Sequence, residues 1–146
     1  QTGKYEPRPS VQTVANAMDV GDPSNFARID DLYGKSHAAI CADISGATYT
    51  DAQIAETIKE VKSQTGYVCD PHGACGYRAL QEGLVSGEVG VFLETAHPAK
   101  FKDTVDSILS ESIEIPAKLQ AFMKGVKQSV PMSKDFADFK QYLLAQ

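Results

Sequence analysis

The spacing of apolar residues along the chain predicts helices that alternate with short strands. The clearest helix starts after Thr50 and is expected to end at Gly66. Thr50 and Gln53 have the spacing of a capping box, with Thr50 as the N-cap and Gln53 at the third helical position. Its apolar residues fall on one face at helical spacing: Ile54, Ile58 and Val61. A second helix is predicted over residues 73–84, and a third begins at Pro98, a residue favoured at the first helical position.

Three short apolar runs, at residues 38–44, 67–69 and 89–93, are interpreted as strands, and the last is continuous in apolar character, as expected of a strand covered on both faces. With the helices between them, they give an alternating order, which implies parallel strands joined by right-handed crossovers. The predicted fold class is therefore α/β, with a small, mostly parallel sheet flanked by helices (αβα).

The chain divides in sequence into three parts that we expect to form one compact unit. Residues 1–34 are a loop, rich in proline and polar residues, followed by a short helix that Ser24 would cap. Residues 35–110 form the α/β core, and residues 111–146 form C-terminal helices. Because so small a sheet needs neighbours at its edges, and the chain starts at Gln1 without a domain-like first element, we expect a piece of a longer protein.

Composition excludes several classes of partner. Of 146 residues, 42% are hydrophobic and 23% charged, the net charge is -5, and no lysine or arginine run is present. These values argue against binding to nucleic acid or an anionic membrane, and no apolar run is long enough to span a bilayer. Three cysteines make a disulfide framework improbable and favour a reducing compartment, so a cytoplasmic location is expected.

Polar side chains follow two of the predicted strands, at the edge where a parallel sheet forms its ligand crevice. Asp70 and His72 follow the run 67–69, and Thr95 and His97 follow the run 89–93. A threonine hydroxyl there donates one hydrogen bond and accepts others. The alternative is that Thr95 merely finishes a strand or caps the helix that starts at Pro98.

Two further stretches have both a structural and a functional interpretation. Ser24 and Asn25 lie at a helix start, where unpaired N–H groups hold phosphate, although both residues also serve as ordinary caps and turns. Cys69, His72 and Cys75 have spacing that zinc ligands use, but no second Cys/His pair completes a tetrahedral site. No metal is therefore expected, and the cysteines are better interpreted as small buried hydrophobes.

Three ordered motifs together resemble the threonine synthase family. They are AMDV followed by PSNF and Arg28 (residues 17–28), DPHGACG (residues 70–76) and TAHPAKF (residues 95–101). The resemblance runs from about residue 1 to residue 110. Each motif alone would be weak evidence, whereas their order and spacing make the combination specific.

The resemblance implies a C-terminal part of a type II, tryptophan-synthase β-like, pyridoxal-phosphate enzyme. Such an enzyme converts O-phospho-L-homoserine and water to L-threonine and phosphate, and the cofactor ring serves as an electron sink. Thr95 would place its hydroxyl against the pyridine nitrogen. The remaining implied site residues border the substrate or organise the site wall: Ser24, Asn25, Phe26, Asp70, His72 and His97.

The sequence departs from the family in two respects. Neither the lysine motif that holds the cofactor nor the glycine-rich loop that holds its phosphate occurs in it. We therefore expect no catalytic residue in this chain, no turnover and no cofactor binding by the chain alone, and the N-terminal part of the same protein as its partner. The alternatives are a non-catalytic αβα module that binds anions, a metal or redox domain, and another pyridoxal-phosphate lyase of the same fold.

Overall fold

A computed structural model describes residues 3–17 and 20–145 of the chain. The described residues form seven α-helices and one 3-10 helix, Pro98–Phe101. The α-helices are α1 Phe26–Leu32, α2 His37–Asp43, α3 Asp51–Thr65, α4 Pro71–Gly83, α5 Lys102–Leu109, α6 Ala117–Met123 and α7 Phe136–Leu144. The chain forms two compact units, Gln1–Glu114 and Ile115–Gln146.

Helix α3 confirms the prediction made from its capping residues. The Thr50 hydroxyl accepts a hydrogen bond from the Gln53 backbone N–H at 3.3 Å, and the Gln53 side chain accepts one from the Thr50 N–H at 2.9 Å. At the other end Gly66 has a φ of 77°, a left-handed conformation that glycine adopts without steric cost. Local sequence alone therefore defines both ends of this helix.

The core of the first unit lies between α3, α4 and α5, since α3 packs against both of the other helices. The predicted face of α3 is buried, and it contacts Cys69, which precedes α4, and Ala74 in the first turns of α4. Val105 of α5 is fully buried as well. Complete burial of an aliphatic side chain contributes about 1.5–3 kcal/mol, so this three-helix contact stabilises the unit.

The predicted parallel sheet is wrong, since the described residues contain no β-strand. Residues 38–44 instead lie mostly within α2, whose first turn is capped when the Ser36 hydroxyl accepts a hydrogen bond from the Ala39 N–H at 3.2 Å. Three alanines in seven residues favour the helix further. A short apolar run has no periodicity to separate a strand from a helix, and here capping decides.

Residues 67–69 and 89–93 do not form strands either, because a strand requires a neighbouring strand to pair with its backbone groups. Side chains in the second run nevertheless alternate. Phe92 packs edge-on against Tyr77 of α4, with ring centroids 5.5 Å apart. The intervening side chains are exposed: Val89 by 94%, Val91 by 81% and Leu93 by 77%. One apolar face of this segment therefore contacts α4, and the other faces outward.

The second unit contains α6 and α7. Asp135 caps α7 by accepting a hydrogen bond from the Ala137 N–H at 2.8 Å. The apolar side chains of α7 are exposed, among them Phe136, Phe139 and Leu143. Across the described part of the chain, no helix has the length and apolar character needed to cross a membrane.

Candidate functional site

An open cavity of about 560 Å³ in the first unit holds Thr95 and His97 in its wall. The remaining wall comes from residues 66–68, from the rest of the segment 94–98, and from Ile113 and Glu114. Thr95 is an exposed residue of this wall. The fold therefore brings together two residues that were predicted from the motif TAHPAKF.

The conformation of the segment that carries these residues is set by a cap at His97. Its ring Nδ1 accepts a hydrogen bond from the Ala99 N–H at 3.1 Å, and the buried Pro98 starts the 3-10 helix. Proline at this position has no N–H to leave unpaired, and its fixed φ suits a helix start. His97 thus has a structural role in addition to its place in the cavity wall.

Asp70 and His72 lie at the start of α4 and form a close pair. The Asp70 side chain is fully buried, and its Oδ1 accepts the His72 backbone N–H at 2.8 Å and lies 2.9 Å from His72 Nδ1. The His72 ring also packs against Phe101, with centroids 5.1 Å apart. These contacts join the start of α4 to the end of the 3-10 helix.

Glu94 connects the two groups of predicted residues. Its Oε1 accepts a hydrogen bond from the Asp70 backbone N–H at 2.6 Å, and it directly precedes Thr95 in the cavity wall. Burial, together with the neighbouring Asp70 carboxylate, raises the pKa of Glu94 to about 7. Sequence reasoning did not select Glu94, although a carboxylate directly after the apolar run 89–93 was a usable signal.

A second cavity, of about 700 Å³, holds Ser24 and Phe26. Phe26 stacks on Tyr5 with ring centroids 4.3 Å apart, and the Tyr5 hydroxyl donates a hydrogen bond to Asp22 at 3.2 Å. Asn25 is the N-cap of α1, one residue after the predicted cap Ser24, and its side chain makes no capping hydrogen bond. Of the AMDV motif, Met18 and Asp19 lie outside the described residues.

The predicted site residues thus fall into two places in the first unit. Thr95 and His97 share one cavity wall with Glu94, which is bonded to Asp70, whereas Ser24 and Phe26 line the other cavity. Their roles toward a cofactor or substrate stay predictions.

The cysteines of the zinc-like pattern lie in the core or beside it. Cys69 is fully buried, and burial, together with Glu94 and Asp70, raises the pKa of its thiol to about 12. The pKa of Cys75 is raised as well, chiefly by burial. Because their pKa values are raised, both thiols are poor nucleophiles at neutral pH.

In the ranges 3–17 and 20–145, no group of three His, Cys, Asp or Glu side chains is arranged to hold a metal ion.

An open cavity lined by polar residues, beside a buried carboxyl with a perturbed pKa, is typical of an enzyme site for a small molecule. The comparisons with known proteins define this class further. The family model described as "Threonine synthase, C-terminal" matches residues 73–143. Together with the relatives below, this match shows that the chain is similar to the C-terminal part of threonine synthases.

Individual relatives agree with this assignment. The threonine synthase of Haemophilus influenzae is 38% identical over 144 residues, which are 99% of this chain and 33% of the relative. That of Escherichia coli strain K12 is 35% identical over 144 residues, 97% of this chain and 33% of the relative. The chain therefore spans about one third of the length of these relatives.

Two solved structures have a similar fold. The crystal structure of threonine synthase from Escherichia coli superposes with a TM-score of 0.79 at 35% identity, over 99% of this chain and 33% of that one. The structure of PLP-bound threonine synthase from Brucella melitensis superposes with a TM-score of 0.77 at 28% identity, over 97% of this chain and 36% of that one.

Proposed function

We propose that this chain acts as the C-terminal part of an enzyme that converts O-phospho-L-homoserine and water to L-threonine and phosphate. The observation that carries the proposal is the match to threonine synthases over nearly the whole chain, combined with the exposed Thr95 in a cavity wall. The cytoplasm as its location stays a prediction from the three free cysteines.

Thr95 is the residue of this chain that we assign to pyridoxal phosphate. The cofactor supplies an electron sink when bound. Thr95 would hydrogen-bond the pyridine nitrogen, and a hydroxyl, unlike a carboxylate, does not force that nitrogen to stay protonated. The residues that line this cavity could hold only part of pyridoxal phosphate. Thr95 supplies a hydroxyl, but no lysine lies in the cavity wall. We infer that the lysine and the phosphate loop come from the N-terminal part of the protein.

The exposed apolar face of residues 89–93 supports such a partner. Val89, Val91 and Leu93 point outward in a run whose other face packs against α4. Buried apolar surface contributes about 25 cal/mol per Å², so these three side chains would stabilise an interface substantially. We propose that the N-terminal part of the same protein covers this face.

The second cavity is the proposed substrate border. Ser24 and Phe26 line it, Asn25 adjoins it at the start of α1, and Lys35 adds a positive charge to a wall that also holds Asp22 and Asp30. A phosphorylated amino acid requires hydrogen-bond donors and cations of this kind. Asp70 and His72 would position the wall of the Thr95 cavity through their contact with Glu94. His97 would position it by capping the 3-10 helix.

A chimaera tests the proposal directly. The chain would replace the corresponding C-terminal third of the Haemophilus influenzae threonine synthase, and phosphate release from O-phosphohomoserine would be measured. We expect the chimaera to be active. Thr95→Ala should lower kcat by about 10–100-fold, because loss of one well-placed hydrogen bond in an active site costs about 1.4–2.8 kcal/mol.

Thr95→Ser is the matched control, since it keeps the hydroxyl and should retain most of the activity. The isolated chain, mixed with pyridoxal phosphate and reduced with borohydride, should give no stoichiometric adduct on a single lysine. A chimaera that folds and binds the cofactor but releases no phosphate would contradict the proposed function. Equal activity of Thr95→Ala and the parent chimaera would remove the role of Thr95 alone.

A further inference from the structure

Two carboxyl oxygens, one on the residue that caps α4 and one on the segment that contacts this cap, are buried without a hydrogen-bond partner among the described residues. They are Oδ2 of Asp70 and Oε2 of Glu94. An ionised carboxylate can only accept hydrogen bonds, so two such groups in contact repel each other and leave both oxygens unsatisfied. Burying an unpaired charge is costly, and this geometry requires a group that satisfies both atoms.

We propose that Glu94 and Asp70 hold one proton between these two oxygens, and that the shared proton fastens the segment 94–98, which carries Thr95, to the start of α4. One O–H group on Glu94 satisfies both oxygens, because it donates to Asp70 Oδ2. Glu94 Oε1 still accepts the Asp70 backbone N–H at 2.6 Å, so the pair is doubly connected. Glu94 is thus a positioning residue for the cavity wall.

The hydrogen bonds around the pair determine which carboxyl carries the proton. Asp70 Oδ1 receives the His72 backbone N–H and, in the tautomer with a proton on Nδ1, the His72 ring N–H. Two donors favour the charged form of Asp70, whereas Glu94 receives one backbone donor. Glu94 therefore holds the proton, in agreement with the rise in its pKa to about 7.

Other ionisable groups face the pair from two sides. Asp70 and His72 face it from the start of α4, and Tyr67 and Cys69 face it from the preceding segment. Burial raises the pKa of both the Tyr67 phenol and the Cys69 thiol, so these two stay neutral at neutral pH. His97 and Glu114 line the same cavity. Asp70 raises the pKa of Glu94, and His72 lowers it.

The proposal predicts a direction for the effect of pH. The folded pKa of Glu94 is raised above its unfolded value, so the folded chain binds the extra proton. Its contribution to stability is fully present below the unfolded pKa and is lost as the pH rises through about 7. At higher pH the segment that carries Thr95 should be held less firmly.

Amide substitutions provide the test, because an amide imitates a protonated carboxyl at any pH. In Glu94→Gln the amide donates to Asp70 Oδ2, and in Asp70→Asn the amide donates to Glu94 Oε2 while its oxygen still caps α4. Urea unfolding would be measured at several pH values for both variants and the parent. Glu114→Gln, an exposed glutamate in the same cavity wall, is the control.

We expect the unfolding constant of the parent to rise, relative to Glu94→Gln, by up to about tenfold per pH unit between pH ~5 and ~7. Asp70→Asn should show the same flattened profile as Glu94→Gln, and Glu114→Gln should follow the parent. Exchange of the Thr95 amide hydrogen should accelerate with pH more in the parent than in Glu94→Gln, after correction for intrinsic exchange. A structural role without a proton would not produce this pH dependence.

A carbon-13 titration of the Glu94 carboxyl in the parent keeps the test decisive if a variant fails to fold. A midpoint close to 7 supports the shared proton. A midpoint near 4.5, the ordinary value for glutamate, overturns it, and so does an identical pH profile for the parent and Glu94→Gln. Both measurements use the chain without cofactor, so their outcome is independent of the proposed function.

Discussion

Gly73 and Gly76 lie one turn apart on α4, and the structure predicts that alanine at these two positions has opposite effects on stability. A Cβ at Gly73 would overlap the Glu94 carboxyl, whereas a Cβ at Gly76 would meet only the Phe92 Cβ at 4.0 Å, an ordinary van der Waals distance. Both glycines are within the helix. The pair therefore separates the steric effect at Glu94 from the general effect of alanine on a helix.

The magnitude at Gly73 follows from three contributions. Overpacking costs about 1–3 kcal/mol. Displacement of Glu94 leaves the Asp70 backbone N–H unpaired, which costs about 1–3 kcal/mol. Alanine returns up to about 1 kcal/mol through helix propensity. The net expectation is a loss of about 3 kcal/mol in the free energy of unfolding for Gly73→Ala, and a gain of about 0.5–1 kcal/mol for Gly76→Ala.

Urea unfolding followed by circular dichroism measures both changes. A double-mutant cycle with Glu94→Ala then identifies the cause, because the obstructing carboxyl is absent in that background. There, Gly73→Ala should cost less than about 0.5 kcal/mol or stabilise the chain. If Gly73→Ala costs as much with Glu94→Ala as without it, or if it stabilises the parent, the described contact between α4 and Glu94 is refuted.

Three further changes test other parts of the structure. Thr50→Ala removes the cap of α3 and should lower the free energy of unfolding by about 1 kcal/mol, measured by urea unfolding, and no change would contradict the capping box. Iodoacetamide should modify the exposed Cys41 in the native chain and spare the buried Cys69, as peptide mass spectrometry would show; equal labelling would contradict the packing at α4. Asp106 accepts the Ile113 N–H at 2.9 Å and pairs with Lys102 at 2.6 Å, and these contacts lower its pKa. Its contribution to stability is therefore lost as the pH falls through that lowered value, so Asp106→Asn should lose less stability on acidification than the parent, and parallel acid profiles would contradict this.

Sequence reasoning predicted α3, whose ends are defined by neighbouring residues, but it missed α2, which Ser36 caps. The capping box at Thr50 and the left-handed Gly66 depend on contacts within a few residues, so α3 is encoded locally. The family motifs similarly selected Thr95 and His97, which share a cavity wall. The prediction was wrong where it assumed that apolar runs pair as strands of a sheet. An apolar run indicates that its side chains avoid water, but it does not indicate what covers them.

The sequence by itself determined the ends of α3, its buried face and the family motifs, because each depends on residues close together in the chain. Tertiary structure decided that residues 89–93 lie on α4 without strand pairing, with an outward apolar face. It also decided the contact between Glu94 and Asp70, 24 residues apart. The physical reason is that burial and the sharing of a proton arise from three-dimensional proximity, which no local spacing encodes.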